Sequence, residues 1–145
     1  MRPVLSVAVS SMLMAAGVFA QTEPRLVADI PFDFYLGDKA FPKGEYELTA
    51  RRPGGVVVLQ SATGIRIWGA AAAHMASNVP ATDKPAVLIF EKYDNDHTFL
   101  KAARWGFDAQ LSLSVGQSRT EREHVTSKFV TQRTTEKLTI LARAR

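Results

Sequence analysis

Residues 28–49 read ADIPFDFYLGDKAFPKGEYELT, and the fold class follows from that stretch. Ala28, Ile30, Phe32 and Phe34 occupy alternate positions, with Asp29 and Asp33 between them. A period of two sends one set inward and the other into water, the pattern of an antiparallel sheet with one solvated face. Gly37-Asp38 then marks a turn, and Pro42-Lys43-Gly44 marks another. Proline presets the first corner of a turn, and glycine accepts the positive φ that a type II turn requires at its second. Beyond it, Tyr46 and Leu48 alternate with Glu45, Glu47 and Thr49. Pro31 cannot donate to a ladder, which places this first strand at an edge or a bulge.

The same grammar runs outward along the chain. Pro53-Gly54-Gly55, Thr63-Gly64, Asp94-Asn95-Asp96 and Gly116-Gln117 separate further runs of strand-like residues. Ile65 and Ile67 oppose Arg66 and Trp68, and Leu111, Leu113 and Val115 alternate with Ser112 and Ser114. Val56 to Leu59 and Val87 to Phe90 are unbroken apolar runs, which predicts strands covered on both faces. Residues 69–77, rich in alanine, fit either a helix or a continuation of the strand at Ile67; strand is preferred, because propensity is a weak guide. Val79 to Pro85 reads as a surface loop. One helix is expected, from about Arg119 to Thr126. Ser118 and Glu121 have capping-box spacing, the hydroxyl accepting from the third helical amide and the carboxylate reaching back to the Ser118 amide. Lys137 to Arg143 is expected as a last strand, with Leu138 and Ile140 on one face. The sum is an all-β fold: an antiparallel β-sandwich or partly open β-barrel of about seven or eight strands with one short helix near the C-terminus.

The N-terminus has the grammar of a leader. Arg2 supplies a positive charge, Val4 to Phe19 is uncharged and mostly apolar, and Val18-Phe19-Ala20 fits a small-x-small cleavage site. The stretch is broken by Ser6, Ser10 and Ser11 and falls short of the ~20 apolar residues that cross a bilayer. The expectation is a signal peptide over residues 1–20, a single β domain over residues 21–145, and a periplasmic or extracellular destination. No later segment is long enough to span a membrane once the leader is gone. The chain contains no cysteine, so its stability must come from an apolar core rather than from disulfides.

Charge is uneven. Residues 21–103 hold 9 basic and 10 acidic side chains, whereas residues 104–145 hold 8 and 4. A solvated basic surface explains this, and attraction to an anionic envelope surface is the sharper alternative. Export, and the lack of a basic-aromatic binding motif, argue against nucleic acid as a partner.

Pro31-Phe32-Asp33-Phe34, then Gly37, then Phe41-Pro42-Lys43-Gly44-Glu45-Tyr46 together resemble a family of small exported hypothetical proteins, plentiful in acidobacteria, with a PFDF-x-x-G…LPxGxY pattern. Leu88-Ile89-Phe90 with Tyr93, Phe99-Leu100 and the helix start at Ser118-Arg119-Thr120-Glu121 extend the likeness over most of the mature chain. Phe41 stands where that family more often has leucine. The resemblance implies secretion and a compact β domain, and it brings no activity with it.

Few residues of the chain fall into patterns that carry chemistry. The chain has no G-x-S-x-G elbow and no thiol nucleophile. His74, His97 and His124 stand 23 and 27 residues apart, and no pair has the spacing of a zinc motif. Asp94-Asn95-Asp96 begins like a calcium loop, but Phe99 stands where that loop needs glycine and Trp105 where it needs glutamate. Glu45 with Glu47, and Asp29 with Asp33, could flank a glycosidic bond, although alternating acids also solubilise a sheet and blunt its edge. No cofactor is expected. Aromatics remain: Trp68 shares a face with Arg66, and Tyr35 and Trp105 are candidates for exposure. Arg66, Trp68, Tyr35 and Trp105 are therefore the candidate ligand-binding residues, because a flat aromatic beside hydrogen-bonding groups suits a sugar ring or a protein partner. Large aromatics are more often core residues, which is the preferred reading, with Trp68 packed under the helix. The expected function is a non-catalytic envelope or secreted binding module for a cell-envelope polysaccharide or protein. A structural protein that associates through a strand edge is the alternative, and an envelope hydrolase comes last.

Overall fold

The computed structural model describes residues 23–51, 55–63, 67–76, 84–93, 97–106, 111–126 and 135–145. The expected leader, Arg66, most of the Val79–Pro85 loop and the Asp94-Asn95-Asp96 turn lie outside these residues. Among the described residues eleven strands and one helix follow in order: β1 (Arg25–Ile30), β2 (Phe34–Leu36), β3 (Lys39–Phe41), β4 (Gly44–Arg51), β5 (Val56–Ser61), β6 (Trp68–Ala76), β7 (Val87–Lys92), β8 (Thr98–Trp105), β9 (Leu111–Val115), α1 (Arg119–Thr126), β10 (Glu136–Leu141) and β11 (Arg143–Ala144). The fold is all-β, as the turn spacing predicts. The strands beyond the expected number are short ones: β2, β3 and β11 have two or three residues each.

Hydrogen bonding runs along one path, β10-β7-β8-β9-β6-β5-β4-β1-β11, with the β2–β3 hairpin attached to β8. The path is open, and two strands carry it around corners. Residues 68–72 of β6 pair with β5 while residues 73–76 pair with β9. At the other corner β10 pairs with β7 and β11 with β1. Ala142 alone separates those two strands, and its amide donates to the Ala86 carbonyl at 2.9 Å. Strands that switch sheets in this way let two sheet portions face each other across one interior.

That interior is one contiguous cluster, which includes Leu26, Ile30, Leu48, Leu59, Leu88 and Leu113 from both portions. The motif of residues 31–46 builds its aromatic centre. The Phe34 ring stacks on Phe41 and meets Tyr46 and Phe90 edge-on, each with centroids 5.4 Å apart. Phe32 meets Phe90 at 5.1 Å. The Tyr46 hydroxyl donates to the Pro42 carbonyl at 2.6 Å, and the Lys43 amide donates to Asp33 at 2.9 Å. Gly37 and Asp38 form a two-residue hairpin turn between β2 and β3, with Gly37 at φ 60°, the positive value such a turn demands at its first corner. Every notable residue of the motif thus has a packing or turn role. Pro31 does not mark an edge or a bulge within a strand: β1 ends at Ile30, and Pro31 lies between β1 and β2.

The alanine-rich segment is a strand, and the hairpin explains its composition. A Cβ on Gly69 would sit 2.6 Å from the Phe41 ring, and a Cβ on Gly37 would touch Ala71 at 3.5 Å. The hairpin lies so close to the inner face of β6 that larger side chains are excluded there. Leu138 and Ile140 of β10 pack on the core as expected. The two apolar runs differ from expectation. In β5, Val57 and Leu59 are buried, while Val56 and Val58 face outward and stay half-exposed. In β7, Leu88 and Phe90 are buried, and Val87 and Ile89 are half-exposed.

Candidate functional site

Register places one row of side chains across the outer face of the first sheet portion. Val27, Glu47, Gln60 and Trp68 are successive cross-strand neighbours on β1, β4, β5 and β6. The next rows run Arg25, Thr49, Val58, Ala70 and then Arg51, Val56, Ala72. Between Trp68 and Arg51 opens a groove of about 540 Å³ lined by Arg51, Val56, Val58, Gln60, Trp68 and Ala70. Ala70 ends its row two residues from Trp68 on β6 and contributes only a methyl group to the lining.

Trp68 is 63 % exposed and, with Leu141, is one of two large hydrophobic residues so exposed among the described residues. Its backbone is held from below. The Lys39 ammonium donates to the Trp68 carbonyl and lies 5.7 Å from the indole centroid, close enough for a cation–π attraction. Alternation predicted this outward face correctly, since Ile67 packs on the core while Trp68 points away, which corrects the preferred reading of Trp68 as a core residue.

Charge on this face is asymmetric. Glu47 is only 8 % exposed and accepts from Arg25 at 3.2 Å and Gln60 at 3.4 Å, with Arg145 at 3.8 Å. Asp29 and Glu45, paired in register, occupy the row beyond it, away from Arg51. Arg51 is exposed and has no carboxylate partner among the described residues.

The other expected site residues fall elsewhere. Trp105 is 3 % exposed and belongs to the core, the preferred reading for a large aromatic, which removes it from the candidate ligand-binding residues. The cause is a bulge in β8. Phe90 pairs with Leu100 and Ile89 with Ala102, so Lys101 is an extra residue, and inward alternation resumes at Ala103 and Trp105. The buried Trp105 indole N–H has no acceptor among the described residues. Tyr35 is half-buried and stacks on Phe99 at 5.1 Å and His97 at 5.7 Å. It lines a second cleft of about 350 Å³ with Asp33, Pro42 and others, so Tyr35 and Trp68 do not share a site.

The bulge has a second effect that sequence reasoning missed. It aims Lys101 at helix α1, where its ammonium donates to both carboxylate oxygens of Glu121 at 2.9 Å. Glu121 is 1 % exposed and also accepts from the Tyr93 hydroxyl at 2.6 Å. Burial, and then donation to Glu121, hold the Tyr93 phenol well above its ordinary pKa. The capping box is therefore half formed. The Glu121 amide donates to the Ser118 hydroxyl at 3.1 Å, but the carboxylate turns to Lys101 and Tyr93 rather than back to Ser118. The Thr120 amide is taken by Asp38, from the hairpin turn, at 2.8 Å, and that hydrogen bond holds the Asp38 carboxyl below its usual range. His97 and His124 come together here, ring centroids 3.9 Å apart. Among the described residues no group of three or more side chains is placed to hold a metal ion. This cluster clamps the helix over Phe99 and spends its polar groups on one another.

Among the described residues no helix is long and apolar enough to cross a membrane. In comparison with known proteins, no family model, curated protein or solved structure matches this chain.

Proposed function

We propose that this protein is an exported, non-catalytic binding module of the cell envelope or extracellular space, and that the groove beside Trp68 is its recognition surface. The observation that carries the reading is the pairing of an exposed indole with a trough of apolar and hydrogen-bonding side chains. Most exposed apolar side chains stand alone on a surface and need no explanation. Here Val56, Val58 and Ala70 continue the apolar surface from Trp68, and Gln60 and Arg51 border it with donors. A stiff aromatic beside such donors binds a flat apolar ring face at small entropic cost. The leader-like N-terminus and the cysteine-free core are compatible with an envelope address and supply no further specificity.

The test uses the two tryptophans as reporters. Trp105 is buried and Trp68 exposed, so iodide quenches chiefly Trp68. Envelope polysaccharides that occupy the groove should protect that emission, and Trp68→Ala should abolish retention on the same polysaccharides without altering the circular-dichroism spectrum. Retention that survives Trp68→Ala refutes the assignment of the groove.

A further inference from the structure

We infer that the groove takes an acidic polysaccharide, with a sugar ring stacked on Trp68 and a carboxylate of the chain paired with Arg51. The inference rests on the binding-module reading above and adds the chemistry of the ligand.

Distance comes first. Arg51 lies two strands from Trp68 and four residues along the strand direction. At ~3.3 Å per residue and ~4.8 Å per strand, the two backbones are about 16 Å apart. A ligand that engages both ends must be extended, which favours a polymer over a small metabolite.

Charge comes second. The acid nearest the groove, Glu47, is enclosed by Arg25, Gln60 and Arg145, and Asp29 and Glu45 lie beyond it on the far side. Lys39 lies beneath Trp68 with its ammonium committed to the Trp68 carbonyl, whereas Arg51 lines the groove itself. The groove lining therefore carries one cation, Arg51, and no carboxylate. A neutral chain would leave Arg51 with nothing to neutralise, whereas a carboxylate there gains a charge-assisted hydrogen bond, which the planar guanidinium can make bidentate.

Backbone accessibility decides between glycan and peptide. A peptide that binds a sheet usually adds a strand to a free edge. The floor strands β4 and β5 are paired on both sides, so the groove floor offers no free backbone to a peptide. What remains is a side-chain surface with alternating apolar and polar character, which matches the two-faced character of a sugar ring.

The decisive experiment titrates the purified protein with galacturonate oligosaccharides and with their methyl esters, which share shape and differ in charge, while Trp68 fluorescence is followed. The acid form should bind about tenfold more tightly, the worth of one charge-assisted hydrogen bond at an exposed rim. Arg51→Gln should bring the acid form down to the affinity of the ester and leave the ester unchanged, and Trp68→Ala, followed by titration calorimetry because it lacks the reporter, should bind neither. Equal affinity for the two forms overturns the inference while leaving the binding-module reading intact. Binding of neither form, nor of any polysaccharide, overturns both. A preference for the acid form that Arg51→Gln leaves intact, or Arg51-dependent binding to phosphatidylglycerol vesicles in place of the oligosaccharides, also overturns it.

Discussion

Replacing Lys101 by methionine should loosen helix α1 from the sheet. Glu121 is almost fully enclosed, and both its oxygens accept from the Lys101 ammonium at 2.9 Å. Methionine keeps the apolar stem and deletes the charge, leaving a carboxylate in a water-poor site with the Tyr93 hydroxyl as its donor. Breaking one side of a buried ion pair costs about 3–5 kcal/mol. The Lys101 side chain is 16 % exposed, so part of its hydration survives in the folded state and the lower end, about 3 kcal/mol, is expected. At roughly 4 °C per kcal/mol for a domain of this size, Tm should fall by about 12 °C. Lys101→Met combined with Glu121→Leu removes both charges and should recover most of the loss, because an apolar pair replaces an ionic one at little cost. Urea unfolding followed by circular dichroism measures the three stabilities, and hydrogen exchange at the helix amides shows whether α1 opens before the sheet. If Lys101→Met lies within about 0.5 kcal/mol of the parent and the helix amides keep their protection, the pair does not anchor the helix.

Two further outcomes follow from the geometry. Gly69→Ala should lower the urea midpoint by an amount equivalent to about 1–3 kcal/mol, because the new methyl meets the Phe41 ring at 2.6 Å, whereas Ala70→Ser on the opposite face should be near neutral. Burial raises the phenol pKa of both Tyr93 and Tyr46 above the ordinary 10.0. The folded state then keeps protons that the unfolded chain releases, so this stabilisation is complete below pH 10 and is lost as pH rises further. Denaturation midpoints measured between about pH 9 and 11 should fall, less steeply in Tyr93→Phe, and a flat profile would contradict the burial of these hydroxyls.

The strand positions were legible because two-residue alternation and glycine-proline turns are local signals. Outward Trp68 next to inward Ile67 follows from alternation alone. What escaped the sequence depends on contacts between distant segments. The small residues of β6 make sense only once the β2–β3 hairpin is seen lying over Gly69 and Ala71. Trp105 faces inward because a single bulge at Lys101 changes the phase of β8, and nothing in the local composition announces it. Glu121 satisfies the spacing of a helix cap, but the ion pair with Lys101, twenty residues away, claims its carboxylate. Val56 and Val58 read as doubly buried because an unbroken apolar run does not reveal that its second face is left uncovered.

The arrangement of the last strand bears on how the molecule comes together. Glu136–Leu141 fastens to β7, and two residues later Arg143–Ala144 fastens to β1, so one short ribbon joins the two margins of the sheet path among the described residues. Until that ribbon arrives, the margins of β1 and β7 both stand with unmatched amides and carbonyls, inviting stray pairing with other chains. Loop closure over most of the sequence must come before that final tie, which makes for slow completion.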